Sequence, residues 1–418
     1  MELNRVVVTG LGSLTPIGNN TTEYWKNLLL GVSGACPITH FDASLFKTQF
    51  ACELKNFDVL NWIEQKEARK MDIFSQYAIA AADEAVKDSK IDSSKIDPEK
   101  IGVILGTGMG GHTSLFEASE QYLLSGDAVP QFSPFIIPKV IGNIAAGYIA
   151  IRHGFKGLNY VTSSACASSS HAIADAFNYI RLGKANIIVV SGSEAPVNKF
   201  SIAGFNAMHV ISRRNDDPAT ASRPFDKDRD GFVIGEGAGA IILENLEHAL
   251  ARKAPIYAEL IGVGLSADAH HITAPHPEGE GAKSAMKNAL EDANIPIESI
   301  DHINMHGTAT VQGDIAEIKA FMSLFGQHAY NIKLTAIKSM IGHLLGAAGV
   351  VESIATILAV KNNIIPPTIN LFQLDEVFDK NLNFVFHKKQ QHKVNFAISN
   401  SFGFGGQNVS LVFKKYGI

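Results

Sequence analysis

The stretch Ser163-Ser164-Ala165-Cys166-Ala167-Ser168-Ser169-Ser170 contains one cysteine among seven small residues. A strand-like apolar run over 158–162 precedes it, and a helix-like run over 171–180 follows it. The turn between them therefore places the Cys166 thiol at a helix N-terminus, where unpaired N–H groups and the helix dipole favour an anion. Because the thiolate is the reactive form of cysteine, we expect a lowered pKa and a nucleophilic role for Cys166. An inert, buried packing cysteine is the alternative interpretation.

Length and composition limit the class of protein. A chain of 418 residues that is 46% apolar and 18% charged predicts a large globular protein with two domains or two halves. The net charge of −5 argues against general nucleic-acid binding. The cysteines Cys36, Cys52 and Cys166 form neither a CxxC pair nor a disulfide framework, which predicts a reducing, cytoplasmic location. The first residues lead straight into a strand, so no signal peptide is predicted.

Apolar runs alternate with helical patterns along the chain. Strands are predicted at 6–9, 101–105, 158–162, 187–190, 240–243, 303–305, 384–386 and 394–398. This alternation predicts an α/β protein whose sheets are covered by helices. Two segments, 159–180 and 334–360, each contain a strand, a polar turn and a helix of small residues, which indicates a duplicated fold.

Two features resemble sites of other kinds. Val6-Val7-Val8-Thr9-Gly10-Leu11-Gly12 begins like a dinucleotide-binding fingerprint but lacks the third glycine, and the glycines over 106–111 have the wrong spacing. Close backbone packing explains both patterns better. The segment 340–360 is as apolar as a membrane span, but it contains His343 and Glu352, so we predict a buried helix beginning at His343.

Two histidines stand where predicted strands give way to turns or helices. His306 follows the strand at 303–305, and His343 ends the polar segment 338–343. A thioester bearing a β-carboxylate can lose CO2 and leave an enolate, and two neutral imidazoles can donate hydrogen bonds to its oxygen. The carbanion would then attack an acyl group on Cys166. Neither histidine has the spacing of a zinc ligand, so no metal is predicted.

Together these segments resemble the elongating β-ketoacyl-[acyl-carrier-protein] synthases, of the synthase II type, in the thiolase superfamily. The similarity runs from Val7-Val8-Thr9-Gly10 to the glycine-rich segment 400–408. It implies the thiolase fold, in which two similar α/β halves form five α-β-α-β-α layers, and it implies a homodimer. We expect residues 1–255 to form the half with the nucleophile and residues 256–418 to form the half with the histidines and a gate loop.

The resemblance also implies the roles of the central site residues. Cys166 is expected to carry the acyl chain, while His306 and His343 hold the thioester oxygen during decarboxylation. The backbone N–H groups of Cys166 and Phe404 resemble an oxyanion hole. Phe404, among glycines, resembles a gate that swings when acyl chains enter. Lys338 is expected to belong to the same catalytic site.

Further residues are implied around this centre. Lys338 is expected to pair with Glu317, which lies one turn after Asp314. Thr308 and Thr310 resemble hydroxyls that bind the pantetheine arm, although they could simply satisfy a turn.

The acyl pocket and its entrance follow from the same resemblance. Met109 is expected to limit the depth of the acyl pocket, and Ile136 to reach the pocket of the partner subunit. The segment from Asp268 to Thr273 resembles a second mobile loop beside the gate.

Carrier docking is expected on a basic face. Lys66, Arg69 and Lys70 have the i, i+3, i+4 spacing of one helix face. In the family this face meets the acidic acyl carrier protein. A solvated charged face is the alternative interpretation.

The resemblance implies fatty acid elongation. No cofactor is expected besides the 4′-phosphopantetheine arm that the carrier supplies, and neither nucleic-acid binding nor membrane insertion is expected. A ketosynthase of a type II polyketide or aryl-polyene pathway has the same chemistry and would form a heterodimer with a chain-length-factor-like subunit. A non-catalytic scaffold that binds carrier protein is a third interpretation. Acyl length and saturation stay open.

Overall fold

The computed structural model describes residues 3–92, 95–126 and 131–418. Within these residues, the principal strands are β1 Val6–Leu14, β2 Ile101–Gly106, β3 Asn159–Thr162, β4 Ile187–Glu194, β5 Gly237–Asn245, β6 Ala258–Ala267, β7 His302–Asn304, β8 Lys333–Thr335, β9 Phe396–Gly403 and β10 Gln407–Lys414. The α-helices are α1 Thr21–Leu30, α2 Gln65–Ala68, α3 Ile73–Ser89, α4 His112–Ser125, α5 Ile136–Val140, α6 Ile144–His153, α7 Ser168–Arg181, α8 Lys199–Ala207, α9 Leu246–Ala251, α10 Glu280–Ala293, α11 Val311–Phe325, α12 Lys338–Ile341 and α13 Ala348–Asn362. Two short strand pairs join Cys36–Pro37 to Phe50–Ala51 and Ile364–Ile365 to Gln390–Gln391.

The strands follow the order β8-β7-β9-β10-β6-β1-β5-β4-β2-β3. The central neighbours β1 and β6 pair only over 6–8 and 258–260, so the ladder divides there into two five-stranded sheets. In the first sheet, β2 runs parallel to β3 and β4, and β5 runs antiparallel to β4 and β1. In the second sheet, β7 runs parallel to β8 and β9, and β10 runs antiparallel to β9 and β6. This identical connectivity indicates an internal duplication.

Helices form three layers around the two sheets. Helices α3 and α6 cover the outer face of the first sheet, and α10 and α11 cover the outer face of the second. Helices α7 and α13 lie between the sheets, and every residue of α13 from Ala348 to Val360 is buried. The predicted five-layer α-β-α-β-α thiolase fold is therefore confirmed.

Glycines allow helices to pack directly on strands in both halves. A Cβ atom added at Gly12 of β1 would lie 2.0 Å from the carbonyl oxygen of Ala81 in α3. At Gly264 of β6 it would lie 2.0 Å from the carbonyl oxygen of Ala285 in α10. Only glycine permits these approaches. Packing therefore accounts for the glycine pattern near the start of the chain.

The apolar segment 340–360 is not one uninterrupted helix. Gly342 adopts a φ of +69°, and the regular helix α13 begins only at Ala348. The expectation of a helix starting at His343 is wrong, because the backbone of His343 pairs with a neighbouring strand-like segment instead. By length and composition, Leu345–Asn362 could cross a membrane, but 89% of it is buried, as in the core helix of a globular protein.

One strand prediction is also wrong. Residues 384–386 form only single bridges, from Phe384 to Leu334 and from Phe386 to Thr368. The aromatic and β-branched side chains there favour a strand, but the backbone has no continuous partner.

Candidate active site

Cys166, His306 and His343 line one cavity between the two halves of the fold. Cys166 comes from the β3–α7 turn of the first half, and the histidines follow β7 and α12 of the second half. The same cavity is lined by seven further residues that the sequence predicts for the site: Met109, Asp268, Thr273, Thr308, Thr310, Glu317 and Phe404. Side chains that are distant in the sequence therefore meet at one place.

Cys166 lies two residues before α7, in a tight turn. Ala165 adopts a φ of +49°, which is strained for a residue with a side chain. Burial raises the pKa of the Cys166 thiol to about 11, although the Lys338 charge and the Phe404 N–H group act to lower it. The expected lowering of the pKa is wrong, because the removal of the sulfur from water outweighs these favourable neighbours.

Two backbone N–H groups point at the sulfur. Those of Phe404 and Cys166 both favour the thiolate as hydrogen-bond donors. Phe404 reaches this position because Gly403 lies against the nucleophile turn: a Cβ atom on Gly403 would be 2.7 Å from the carbonyl oxygen of Ser164. The two donors lie where an oxyanion hole is expected for a thioester on Cys166.

His306 is a neutral hydrogen-bond donor. Burial, together with the nearby Lys338 and His343, holds its pKa well below 6.5. The Lys338 ammonium has only protons to donate and lies 3.4 Å from Nδ1 of His306, so Nδ1 is the acceptor. The ring proton therefore resides on Nε2.

His343 is also a neutral imidazole with its proton on Nε2, but a different contact holds the proton there. Burial and the Lys338 charge hold its pKa well below 6.5. The Leu345 N–H donates to Nδ1 of His343 at 3.3 Å, which again leaves the proton on Nε2. The rings of His306 and His343 lie edge to face with centroids 5.5 Å apart. The pair can donate two hydrogen bonds to one developing oxyanion.

Lys338 pairs with Glu352 and not with Glu317. Both members of the Lys338–Glu352 pair are buried, and burial raises the pKa of Glu352 to about 7. The oxygens of Glu317 instead accept the N–H groups of His306, at 2.7 Å, and Gly307, at 2.8 Å. The expected Glu317–Lys338 pair is therefore wrong, and Glu317 supports the His306 segment directly.

Asp314 holds the neighbouring turn. Its carboxylate accepts the N–H groups of Phe225, at 2.9 Å, and Ala309, at 3.1 Å, and lies 3.3 Å from Nε of Arg229. Burial raises the pKa of Asp314 to about 6. The hydroxyls of Thr308 and Thr310, on either side of Ala309, are 3.0 Å apart in the cavity wall.

The predicted gate segment around Phe404 is linked to the loop that begins at Asp268. The Gly405 N–H donates to the carbonyl of Ile272 at 2.8 Å, and the Asp268 N–H donates to the carbonyl of Gly406 at 2.8 Å. The Asn408 amide also donates to the Asp268 carboxylate at 2.7 Å. These three hydrogen bonds join the two segments directly.

The two predicted acyl-pocket residues lie apart. Met109 lines the catalytic cavity and packs against an apolar cluster containing Ile202 and Phe232. Ile136 instead begins α5 and lines a second cavity beside α4. Its role toward a partner subunit stays a prediction.

The predicted basic docking face is not one helix face. Helix α2 ends at Ala68, so it contains Lys66 but neither Arg69 nor Lys70. The chain leaves the helix there because Asp72 caps α3 by accepting the Phe74 N–H at 3.0 Å. Lys66 and Arg69 are exposed, whereas Lys70 is half-buried and pairs with Glu67 at 2.7 Å.

Sequence reasoning missed two buried carboxylates of this site. Glu352 holds Lys338, and Glu194 lies in the cavity wall beside Met109. Glu194 had a detectable signal: it is an acidic residue at the carboxyl end of a wholly buried strand, β4. The aromatic wall formed by Phe205, Phe232 and Phe402 was also not predicted.

Comparison with known families gives matches over most of the chain. Residues 3–249 match the family model described as beta-ketoacyl synthase, N-terminal domain, and residues 257–372 match the corresponding C-terminal domain. A similar curated protein is the 3-oxoacyl-[acyl-carrier-protein] synthase 2 of Synechocystis sp., which is 47% identical over 416 residues, covering 100% of this chain and 99% of that protein.

Solved structures with the same fold include polyketide enzymes. The ishigamide ketosynthase/chain length factor superposes with a TM-score of 0.93 at 34% identity, covering 99% of this chain and 100% of the other. A type II polyketide ketosynthase solved with its acyl-carrier protein and bound to a hexaketide gives a TM-score of 0.90 at 30% identity, with 99% of both chains covered.

Proposed function

Because the chain belongs to the beta-ketoacyl synthase family, we propose that it elongates acyl chains on acyl carrier protein in fatty acid biosynthesis. The reaction is a decarboxylative Claisen condensation of malonyl-acyl-carrier-protein with an acyl chain on Cys166, which yields 3-oxoacyl-acyl-carrier-protein. The observation that carries this proposal is the meeting of Cys166 with two neutral imidazoles, His306 and His343, in one cavity.

The first step transfers the acyl group to Cys166. The sulfur attacks the thioester carbonyl of the acyl carrier protein, a new carbon–sulfur bond forms, and the carrier leaves as a thiol with the cysteine proton. The N–H groups of Cys166 and Phe404 are placed to stabilise the tetrahedral oxyanion. Because burial raises the pKa of the Cys166 thiol, the resting sulfur is protonated, and its proton leaves with the carrier thiol.

The second step breaks the bond between the malonyl carboxylate and its methylene carbon. CO2 leaves, and the electron pair develops as an enolate whose oxygen accepts hydrogen bonds from Nε2–H of His306 and His343. The enolate carbon then attacks the acyl carbonyl on Cys166, and the cysteine thiolate leaves and regains a proton from water. No base is needed to remove a carbon-bound proton, which agrees with two histidines that act only as donors.

The carrier protein supplies the pantetheine arm, so the enzyme itself needs no separate cofactor. We propose that Thr308 and Thr310 bind this arm and that Phe404 and the loop from Asp268 to Thr273 admit the acyl chain. Their position along the cavity wall supports these roles. The partners are acyl carrier protein and a second copy of this chain in a homodimer.

A panel of acyl carriers tests this function. Purified protein is incubated with butyryl-, octanoyl-, hexadecanoyl- or polyenoyl-carrier protein and malonyl-carrier protein, and the products are read by intact-protein mass spectrometry. Saturated 3-oxoacyl products from the protein alone support fatty acid elongation. The likeness to polyketide ketosynthases makes polyenoic selectivity, or activity only with a chain-length-factor-like subunit, the result that favours the second pathway.

The Cys166→Ala variant is the control for this panel. Loss of condensation with unchanged carrier binding supports the catalytic assignment. Unchanged carrier binding without any acylation of the wild-type sulfur would instead indicate a scaffold.

We also propose how the chain divides into halves and where the enzyme acts in the cell. The chain divides into halves at 1–255 and 256–418, which is supported by the identical connectivity of β1–β5 and β6–β10. The enzyme acts in the cytoplasm, a proposal that the free thiols of Cys36, Cys52 and Cys166 support. Cell fractionation with an antibody against the chain tests the location.

A further inference from the structure

Glu194 is a buried carboxylate in the wall of the catalytic cavity that the proposed reaction does not use. It ends strand β4 and is 0% exposed. Burial raises its pKa, and its charge raises the pKa of Cys166, in opposition to Lys338. A negative charge here therefore works against activation of the nucleophile, and its presence requires another explanation.

The hydrogen bonds of Glu194 supply that explanation. Its four donors are the Thr107 hydroxyl at 2.5 Å and Met109 N–H at 3.1 Å on one oxygen, and Gly108 N–H at 3.1 Å and Gly346 N–H at 3.2 Å on the other. The Thr107 oxygen itself accepts the Gly110 N–H at 3.0 Å, so its proton points to Glu194. Both carboxylate oxygens therefore act only as acceptors, each for two donors.

These donors belong to two loops from different halves of the fold. One loop, 107–110, follows β2 and includes Met109 of the predicted acyl pocket. The other, 345–347, follows His343. The loops touch directly, since a Cβ atom added at Gly346 would lie 2.3 Å from the backbone nitrogen of Gly108. Without an acceptor between the loops, the three N–H groups of Gly108, Met109 and Gly346 would be left unsatisfied in the interior, which is costly.

The second loop also determines the state of His343. The Leu345 N–H that donates to Nδ1 of His343 comes from the residue just before Gly346. A displacement of Gly346 therefore changes the donor that keeps the proton of His343 on Nε2. Glu194 is thus connected through one loop to the decarboxylating pair and through the other to the acyl pocket.

We propose that Glu194 is a positioning residue for the condensation: it clamps the loops 107–110 and 345–347 together and so sets the orientation of His343 and the position of Met109. This inference rests on the proposed function.

The test is Glu194→Gln in the full-length protein. Whichever way the amide turns, its NH2 group faces two donors. We expect kcat for malonyl decarboxylation to fall by about tenfold or more, because His343 is misplaced, with KM for malonyl-carrier protein unchanged. The preference among butyryl-, octanoyl- and hexadecanoyl-carrier protein should change because Met109 moves. Iodoacetamide labelling of Cys166 should shift to lower pH, because the charge that raises its pKa is gone.

The matched control is Glu244→Gln. Glu244 is a buried carboxylate on β5 that accepts from Thr9 and Arg252 outside the cavity. This variant should keep the wild-type decarboxylation rate and labelling profile even if its melting temperature falls. If Glu194→Gln does not fold, Thr107→Val, which removes one donor and keeps the charge, should still lower decarboxylation severalfold without shifting the labelling profile.

Failure of the positioning role and failure of the proposed function give different results. Wild-type decarboxylation and acyl preference in folded Glu194→Gln or Thr107→Val overturn the positioning role alone. Absence of CO2 release by the wild-type protein overturns the proposed function, and the positioning role with it.

Discussion

The Nζ atom of Lys338 lies 3.4 Å from Nδ1 of His306, and the same ammonium group is paired with the buried carboxylate of Glu352. The result is a chain from Glu352 through Lys338 to His306 that keeps the ring proton on Nε2. His343 obtains the same tautomer from the backbone N–H of Leu345 without any charge. The two imidazoles therefore have the same form but differ in what maintains it.

This difference predicts that Lys338→Met impairs His306 more than His343. Methionine keeps the apolar stem but removes the charge, so decarboxylation should fall by roughly a hundredfold, the scale of loss when a catalytic group is misplaced. The pKa of Cys166 should rise further, because Lys338 lowers it. Release of labelled CO2 and iodoacetamide labelling measure the two effects. The exposed Lys319→Met is the control, and a wild-type rate in Lys338→Met would contradict the role.

Separate removal of each histidine should divide the reaction into its two steps. His306→Ala or His343→Ala should slow decarboxylation by about 10²–10³-fold, the usual cost of one oxyanion donor. Loading of Cys166 should stay measurable, because its oxyanion donors are backbone groups. Intact-protein mass spectrometry follows loading. His328→Ala, outside the cavity, is the control, and equal loss of both steps would refute this division of labour.

The neutral histidines predict that the rate of decarboxylation does not fall on the acidic side of its pH profile. Because the pKa of each imidazole lies well below 6.5, both remain neutral as the pH falls through 6.5. Decarboxylation by the preformed acyl-enzyme should therefore keep its rate through this range. Single-turnover CO2 release at several pH values measures it. A loss of activity with a midpoint near 6.5, together with intact folding by circular dichroism, would show that a histidine takes up a proton.

The buried thiol predicts slow alkylation that increases steadily with pH. Because burial raises the pKa of Cys166 to about 11, the thiolate fraction should grow roughly tenfold per pH unit through the neutral and mildly alkaline range. Iodoacetamide labelling followed by peptide mass spectrometry measures the rate. A plateau near neutral pH would mean that the sulfur is already ionised at rest. Cys36, which is half-buried, serves as the internal reference.

Carrier docking should depend on the charges of Lys66, in α2, and Lys70, which lies between α2 and α3. Lys66→Glu combined with Lys70→Glu should raise KM for acyl carrier protein severalfold with little change in kcat, and the effect should diminish at high salt. The control is Lys87→Glu. Lys87 is an exposed lysine in the last turn of α3, about 20 Å from the start of that helix. If KM is unchanged in the double variant, the carrier docks elsewhere.

The sequence predicts the main chemistry because the residues that carry it stand in short, recognisable patterns. Cys166 at a strand-to-helix turn and His306 after a strand are visible as short patterns, and the structure places both as those patterns require. Gly12 of β1 and Gly264 of β6 also reflect the duplication. Their shared role is visible only in the structure, where each glycine lies against the backbone of a helix.

The failed predictions concern long-range packing. The pKa of Cys166 is governed by burial beneath segments of the other half, which no local pattern at residue 166 contains. Lys338 meets Glu352 only because the backbone breaks at Gly342, and the uniform apolar character of 340–360 conceals that break. The i, i+3, i+4 spacing of Lys66, Arg69 and Lys70 predicts one helix face, but it does not reveal the cap at Asp72, where a new helix begins.

The division of the site between the halves has a consequence for synthesis on the ribosome. A nascent chain that has emerged only through α7 already contains the sulfur of Cys166 but lacks both imidazoles and the Phe404 N–H group. Phe404 is the last of these groups to be translated, and it arrives on the β9–β10 hairpin that closes against the cysteine turn. The complete site therefore cannot assemble until nearly all of the polypeptide has been made.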